Sequence, residues 1–124
     1  MAPGFSPSGE VLAAISSEMV RIKSQHYGRG PTEAKTYVCD NFLLSALKGG
    51  LTKVEETLKT TGDKDLVREV RMRFQDQMAA AFTEPVERLT GHKVLAFQSQ
   101  ITFDPDYVFE IFVMDPDGSA ADET

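Results

Sequence analysis

The stretch LAFQSQITFDPDYVFEIFVM, residues 95–114, sets the class of fold. Up to Phe103, apolar residues recur with a period of two, which is typical of a β-strand with one buried face. The turn formers Asp104, Pro105 and Asp106 then separate this run from a second alternating run. The stretch therefore predicts an antiparallel hairpin.

The alternation also assigns the two faces of this hairpin. The predicted core face comprises Leu95, Phe97, Ile101, Phe103, Tyr107, Phe109, Ile111 and Val113. The opposite face of the second strand is apolar as well, and it carries Val108, Glu110, Phe112 and Met114. Because such a face is unfavourable in water, we expect another element or a second copy of the chain to cover it, and we predict a homodimer.

A second hairpin is predicted nearer the N-terminus. Two β-favouring runs, residues 36–38 and 42–44, are separated by Asp40-Asn41, a pair that tolerates the positive φ of a tight turn. Gly49-Gly50 ends the second run.

Helical periodicity fills the rest of the chain. The first helix is predicted to begin after Ser8 and to end at Gly28, with a core stripe formed by Leu12, Ile15, Met19 and Ile22. Thr52 and Glu55 have the spacing of a capping box, which predicts a short helix over residues 53–60.

A longer helix is predicted after Gly62, with Asp63 as its cap. Its predicted core stripe comprises Leu66, Val70, Phe74, Met78, Ala81, Phe82, Val86 and Leu89. We expect Pro85 to kink or divide this helix near Phe82.

These elements predict an α+β fold in the order αββααββ. It is a two-layer sandwich in which the two β-hairpins form one antiparallel sheet with helices on one face. A chain of 124 residues suits one domain, predicted over residues 10–114. Residues 1–9 are interpreted as a flexible leader and residues 115–124 as a flexible acidic tail.

Composition excludes several classes of protein. With 41% hydrophobic and 26% charged residues, the chain is an ordinary globular protein. The net charge of −6 argues against a protein whose main function is to bind nucleic acid or anionic lipid. Four of those negative charges lie in the last ten residues, so the rest of the chain is near neutral and a modest basic site remains open.

Cys39 is the single cysteine, which favours a reducing compartment, and we expect the protein to be cytoplasmic. We find no secretory signal in the sequence and no apolar run of about 18 residues, so we expect no membrane span.

The most unusual local feature is Gly28-Arg29-Gly30-Pro31 with Lys35 close behind. Two glycines let backbone amides converge on one point, and the basic side chains add positive charge, so the segment suits a small anion. The alternative is a helix stop followed by a rigid turn.

Arg68 and Arg71 are neighbours on the predicted long helix. They either widen a basic surface for phosphate or an acidic partner, or belong to a solvated face of ion pairs with Asp65 and Glu69. A nucleic-acid-binding module would need one continuous face formed by Arg29, Arg68, Arg71 and Arg73.

A small enzyme using Cys39, Asp40 or His92 is a rival hypothesis. It requires a pocket that gathers at least two of these side chains. None of the histidine and cysteine spacings is that of a metal site, so we expect neither metal nor cofactor.

Several separated motifs occur together in this chain. In order, they are Gly28-Arg29-Gly30-Pro31, Ala34-Lys35-Thr36-Tyr37, Leu43-Leu44, Gly50-Leu51-Thr52 with Glu55, Val67-Arg68, Arg71, Phe74, Leu89-Thr90-Gly91-His92-Lys93-Val94, and Asp104-Pro105-Asp106 before Phe109 and Phe112-Val113. Over about residues 10–114 this set resembles the small bacterial MpsC/YbcI-like domain family, whose glycine-basic-glycine-proline signature falls on residues 28–31.

The resemblance implies an association with membrane systems proposed to generate a sodium-dependent membrane potential or to take up inorganic carbon. It implies no catalytic residue. We therefore expect a non-enzymatic accessory or regulatory module, peripheral to the inner face of the membrane, with a membrane transport subunit as partner. The expected anion or partner site comprises Gly28, Arg29, Gly30, Pro31, Lys35, Arg68 and Arg71.

Overall fold

The structure is a computed structural model that describes residues 4–119. Its elements are α1 (Gly9–Tyr27), β1 (Glu33–Cys39), β2 (Phe42–Lys48), α2 (Lys53–Thr60), α3 (Lys64–Gln77), α4 (Ala79–Thr90), β3 (His92–Thr102) and β4 (Tyr107–Ser119). The four strands form one antiparallel sheet in the order β1-β2-β4-β3. Helix α1 packs on β1 and β2, while α3 and α4 pack on β3. The α+β class and the predicted order of elements are confirmed.

In the first half of the chain, the helix caps and turns lie where the sequence predicts them. The Ser8 hydroxyl accepts a hydrogen bond from the Val11 amide at 3.2 Å and caps α1, and Gly28 ends that helix with φ +76°. Asp40 adopts φ +53° in the turn between β1 and β2. Thr52 and Glu55 form the predicted capping box at the start of α2.

The long helical segment divides at Met78, four residues before the predicted position. Pro85 lies inside α4 instead of at the break. The physical reason is packing, because α4 contacts α1 and β3, whereas α3 contacts α2 and β3. The prediction that proline sets the break was wrong.

The predicted core stripe of this segment holds in α4 and fails in α3. Phe82 and Val86 are buried, but the α3 residues Leu66, Val70 and Phe74 are exposed. The buried face of α3 instead comprises Val67, Arg71 and Gln75. Thus α3 turns a partly polar face to the sheet.

The predicted core face of β4 was wrong as well. Register places Val108 opposite Leu47 and Phe112 opposite Leu43, and all four side chains are buried. Residues directly opposite each other share a face, so the pairing with β2 turns the even-numbered residues of β4 toward the helices. A period of two cannot choose between two apolar faces.

Two further differences concern the ends of the domain and strand β3. Phe5, within the predicted leader, is buried, and β4 continues to Ser119 through part of the predicted tail. Residues 1–3 and 120–124 lie outside the described residues. Leu95 is exposed because register shifts between Val94 and Ala96 interrupt the alternation of β3.

Candidate anion site

Two glycine segments meet at one end of the sheet. Gly50 has φ +87°, and a Cβ there would lie 3.1 Å from the Pro31 nitrogen. The Thr32 amide and hydroxyl both donate hydrogen bonds to the Lys48 carbonyl, at 2.8 and 3.1 Å. Segment 28–31 is therefore held in close contact with segment 49–50, and a Cβ at Gly50 would require Gly30 and Pro31 to shift slightly.

A small cavity of about 10 Å³ lies beside this contact. Its lining residues, called the basic cavity below, are Lys23, Arg29, Pro31, Leu47, Gly49, Gly50, Arg71 and Val108. Three of them are basic and none is acidic. The volume suits an occupant the size of one water molecule, so a larger anion requires segment 28–31 to move.

Arg71 is one of two buried cations that line the basic cavity. Its Nε and Nη2 atoms each donate a 2.7 Å hydrogen bond to the Glu55 carboxylate, and Nη2 also donates to the Gly50 carbonyl at 3.0 Å. The guanidinium carbon lies 3.9 Å from the centre of the Tyr27 ring. Arg71 thus joins α3 to the capping box of α2 and to segment 49–50.

The pKa of Glu55 reflects two opposing effects. Burial raises it, but hydrogen bonds from Arg71 and Thr52 outweigh burial and hold the pKa below its ordinary value. The carboxylate therefore stays charged and paired with Arg71 at neutral pH.

Lys23, near the C-terminal end of α1, is the second buried cation. Its Nζ atom lies 2.7 Å from Glu110 Oε2 and donates a hydrogen bond to Gln75 Oε1. Ser99 donates a 2.6 Å hydrogen bond to the other oxygen of Glu110. Burial lowers the pKa of Lys23, and the Glu110 carboxylate opposes that shift.

In the described part of the chain, three polar atoms near these pairs are buried and lack a hydrogen bond. Within residues 4–119, the Tyr27 hydroxyl and the Gln75 Nε2 atom are buried without a hydrogen-bond partner. Glu110 Oε2 forms the ion pair with Lys23 but accepts no well-aligned hydrogen bond. Burial raises the pKa of Tyr27 to about 12, so its hydroxyl remains a neutral donor. An acceptor such as water would satisfy these two donors, although neither Tyr27 nor Gln75 lines the basic cavity.

Comparison with known proteins identifies the family. Residues 8–116 match the family model described as "Na+-translocating membrane potential-generating system (MpsC)". The chain belongs to the MpsC family. A relative, the uncharacterized protein YrhF of Bacillus subtilis (strain 168), is 26% identical over 97 residues, which cover 77% of this chain and 80% of YrhF. No solved structure matches this MpsC-family chain significantly.

The structure brings together part of the predicted site of this MpsC protein. Arg29, Pro31 and Arg71 line the basic cavity, and Gly28 ends α1 beside it. Gly30 lies against Ser24, where a side chain would collide. These five residues form one region of the molecule.

Lys35 and Arg68 lie elsewhere. Lys35 is exposed on β1, with its Nζ atom 5.3 Å from the centre of the Tyr37 ring. Arg68 pairs with Asp65 at 2.8 Å on the outside of α3. Neither residue lines the basic cavity.

Sequence reasoning missed Lys23, Gln75 and Glu110. A signal for Lys23 was present, because it follows Met19 by four residues and so shares the buried face of α1. Glu110 alternates with Val108 and Phe112 on one face of β4, which placed a carboxylate on an apolar face. The partners come from distant segments, so spacing alone could not pair them.

The residues of the rival enzyme hypothesis are not gathered in one pocket. A cavity of about 380 Å³ near the β1–β2 turn is lined by Phe5, Ser6, Val38, Asp40, Asn41 and Pro116. Of the three proposed catalytic residues it contains Asp40, while Cys39 is exposed. His92 Nδ1 lies 2.9 Å from the Asp115 carbonyl oxygen.

The surface required by the nucleic-acid hypothesis is interrupted. Arg71 is only 2% exposed, so it cannot join Arg29, Arg68 and Arg73 on one accessible face. Arg73 pairs with Glu69 at 3.2 Å. In the part of the chain that the structure describes, no helix has both the length and the apolar character needed to cross a membrane.

Proposed function

We propose that this protein is a non-enzymatic accessory or regulatory module of a Na+-translocating membrane potential-generating system, and that its basic cavity binds a small anion. Family membership supports the system, and the cavity supports the ligand class. Its partner would be a membrane subunit reached from the cytoplasmic side. Bicarbonate and chloride are the two anions to compare, since transport of inorganic carbon is the related function that the sequence resemblance implies.

The observation that carries this proposal is the meeting of three basic residues at one cavity. Lys23 and Arg71 are each 2% exposed and already paired with carboxylates, so their charges are balanced. Arg29 is different, because its closest carboxylate, Glu56, lies 3.8 Å away and both side chains are about half exposed. Arg29 therefore supplies the cavity with a positive charge that is weakly compensated.

This arrangement suggests how an anion would act. An anion bound between Arg29 and the buried cations Lys23 and Arg71 would draw Arg29 away from Glu56 and toward the cavity. Segment 28–31 would then be tied to α1 and α3 at once. The surface presented by this segment and α2 would change with anion occupancy, which is the property a regulatory module needs.

Isothermal titration calorimetry tests the anion site. Sodium bicarbonate and sodium chloride are titrated separately at matched ionic strength into the wild-type protein and into Arg29→Ala. We expect at least one anion to bind the wild-type protein, and Arg29→Ala to weaken that binding roughly tenfold, because one charged hydrogen bond is lost.

Arg73→Ala is the matched control, since Arg73 is an exposed arginine that does not line the cavity. Its affinity should equal that of the wild-type protein. The proposed anion site would be contradicted if Arg29→Ala and the wild-type protein bound the anion with equal affinity. It would also be contradicted if neither anion gave binding heat with the wild-type protein. Unfolding curves confirm that each variant is folded.

A further inference from the structure

The sheet has a second face, which the helices leave open. The helices that contact the sheet, α1, α3 and α4, lie over the buried residues of the four strands. The apolar side chains on the opposite side, called the open face below, are Tyr37, Phe42, Leu44, Ala46, Tyr107, Phe109, Ile111 and Val113. They are all exposed or half-buried.

Strand register makes the open face continuous. Tyr37, Leu44 and Ile111 lie side by side across β1, β2 and β4, and Ala46 lies opposite Phe109 in the next row. The Tyr107 and Phe109 rings stack with centres 5.6 Å apart. Tyr37 and Phe42 are 48% and 46% exposed, so these two large side chains find little cover within residues 4–119.

We propose that a second copy of this chain packs on the open face, sheet against sheet, to form a twofold-symmetric dimer. Four strands of about seven residues span roughly 450 Å² as a flat area. The accessible surface of this face is larger than its flat area because the side chains project from the sheet. It therefore approaches the roughly 800 Å² that a stable dimer buries on each partner. Most of the apolar residues in this area lie on the two central strands, β2 and β4, and a continuous exposed apolar patch often marks an interaction site.

The distribution of charge on the open face favours a second copy as the occupant. In the rows that pair with Phe42 to Lys48 of β2, the charged residues Glu33, Lys35 and Lys48 lie on β1 and β2, whereas β3 contributes uncharged Gln98, Gln100 and Thr102. A twofold axis parallel to the strands places β1 of one copy over β3 of its partner. Within these rows, each lysine then faces an amide or a ring of the partner, and no like charges meet.

This dimer leaves the basic cavity free. The cavity is lined by Leu47 and Val108, which face the helices, so it lies on the side of the sheet away from the dimer contact. Each dimer therefore carries two cavities on its outer layers. The dimer does not depend on anion binding.

Light scattering coupled to size exclusion tests the proposal. We expect the wild-type protein to have twice the 13.7 kDa chain mass. Ile111→Lys places a charge at the centre of the open face and should raise the dimer dissociation constant about thirtyfold or more. The control Val70→Lys makes the same kind of change at an exposed apolar residue of α3 and should remain dimeric.

Phe42→Lys provides a second variant at a position that is already 46% exposed, so folding tolerates it. Phe42→Lys should weaken the dimer as Ile111→Lys does. If Ile111→Lys fails to fold, Phe42→Lys alone tests whether the open face forms the dimer contact. A monomeric wild-type protein overturns the proposal. So does a dimer that survives the open-face substitutions or is lost equally in Val70→Lys.

Discussion

Lys23 and Arg71 are charged side chains that the fold removes from water. Each is compensated by a carboxylate, Glu110 for Lys23 and Glu55 for Arg71. A buried pair of this kind adds little net stability, but removing one partner leaves an isolated charge in a site of low dielectric constant. The pairs therefore fix the geometry of the basic cavity more than they increase the free energy of unfolding.

Arg71→Ala should lower the free energy of unfolding by about 3 to 5 kcal/mol, because Glu55 loses its ion-pair partner and two hydrogen bonds, and the Gly50 carbonyl loses the hydrogen bond from Arg71. Arg68→Ala is the control on the same helix and should cost less than about 1 kcal/mol, since Arg68 forms an exposed pair with Asp65. Urea denaturation measures both. Similar losses in the two variants would show that the buried pairing has no special role.

Stability should depend on pH through Glu55. Its pKa in the folded protein is depressed, so its contribution is present above its ordinary pKa of 4.5 and is lost as pH falls through the folded value. Thermal unfolding should show Glu55→Gln less stable than the wild-type protein at neutral pH, with the gap closing below about pH 4.5. Glu56→Gln, at the exposed neighbouring position, should show no such closing gap.

At the scale of elements, the site depends on two turns that pack against each other. Gly28 ends α1 so that segment 28–31 crosses toward β1, and Gly49-Gly50 turns the chain from β2 toward α2. Gly50 needs both a positive φ and the space that a missing side chain leaves. The turns shape the cavity that the basic side chains then line.

Gly50→Ala and Gly62→Ala separate these two requirements. Both glycines have positive φ, +87° and +92°, but a Cβ at Gly62 meets nothing within 4 Å. We expect Gly62→Ala to cost about 1 kcal/mol and Gly50→Ala about 1 to 3 kcal/mol more, because Gly30 and Pro31 must shift. Equal losses in denaturant unfolding would show that the two segments are not tightly packed.

Much at this scale could be predicted from local chemistry. The caps at Ser8, Gly28 and Thr52 and the turn at Asp40-Asn41 depend on neighbouring residues, and the structure confirms them. The inward face of β4 depends on its pairing with β2, some 60 residues away in sequence, so the period of two could not decide it. The break at Met78 likewise depends on tertiary packing.

The candidate site was predictable from the sequence only where it depends on neighbouring residues. The glycines around Arg29 are a local signal, so the sequence located segment 28–31. The burial of Arg71 could not be seen, because the apolar residues Leu66, Val70 and Phe74 predicted a different inward face for α3. Arg71 faces inward because two acceptors from other elements, Glu55 and the Gly50 carbonyl, accept its hydrogen bonds.

At the scale of the whole molecule, the protein has two separate surfaces. The helical side carries the basic cavity and the exposed residues Leu66 and Val70 of α3, while the other side carries the open face. A dimer formed through the open face would present two helical sides outward. In the function proposed above, these outward sides would contact the membrane subunits.

Affinity capture from native membranes is the decisive experiment for the proposed association with a membrane system. The tagged wild-type protein is incubated with detergent-solubilised membranes of the source organism, with tag alone as control, and captured proteins are identified by mass spectrometry. We predict recovery of membrane subunits of the Na+-translocating potential-generating system, and reduced recovery with Arg29→Ala. Recovery of those subunits no greater than with tag alone would contradict the proposed accessory role.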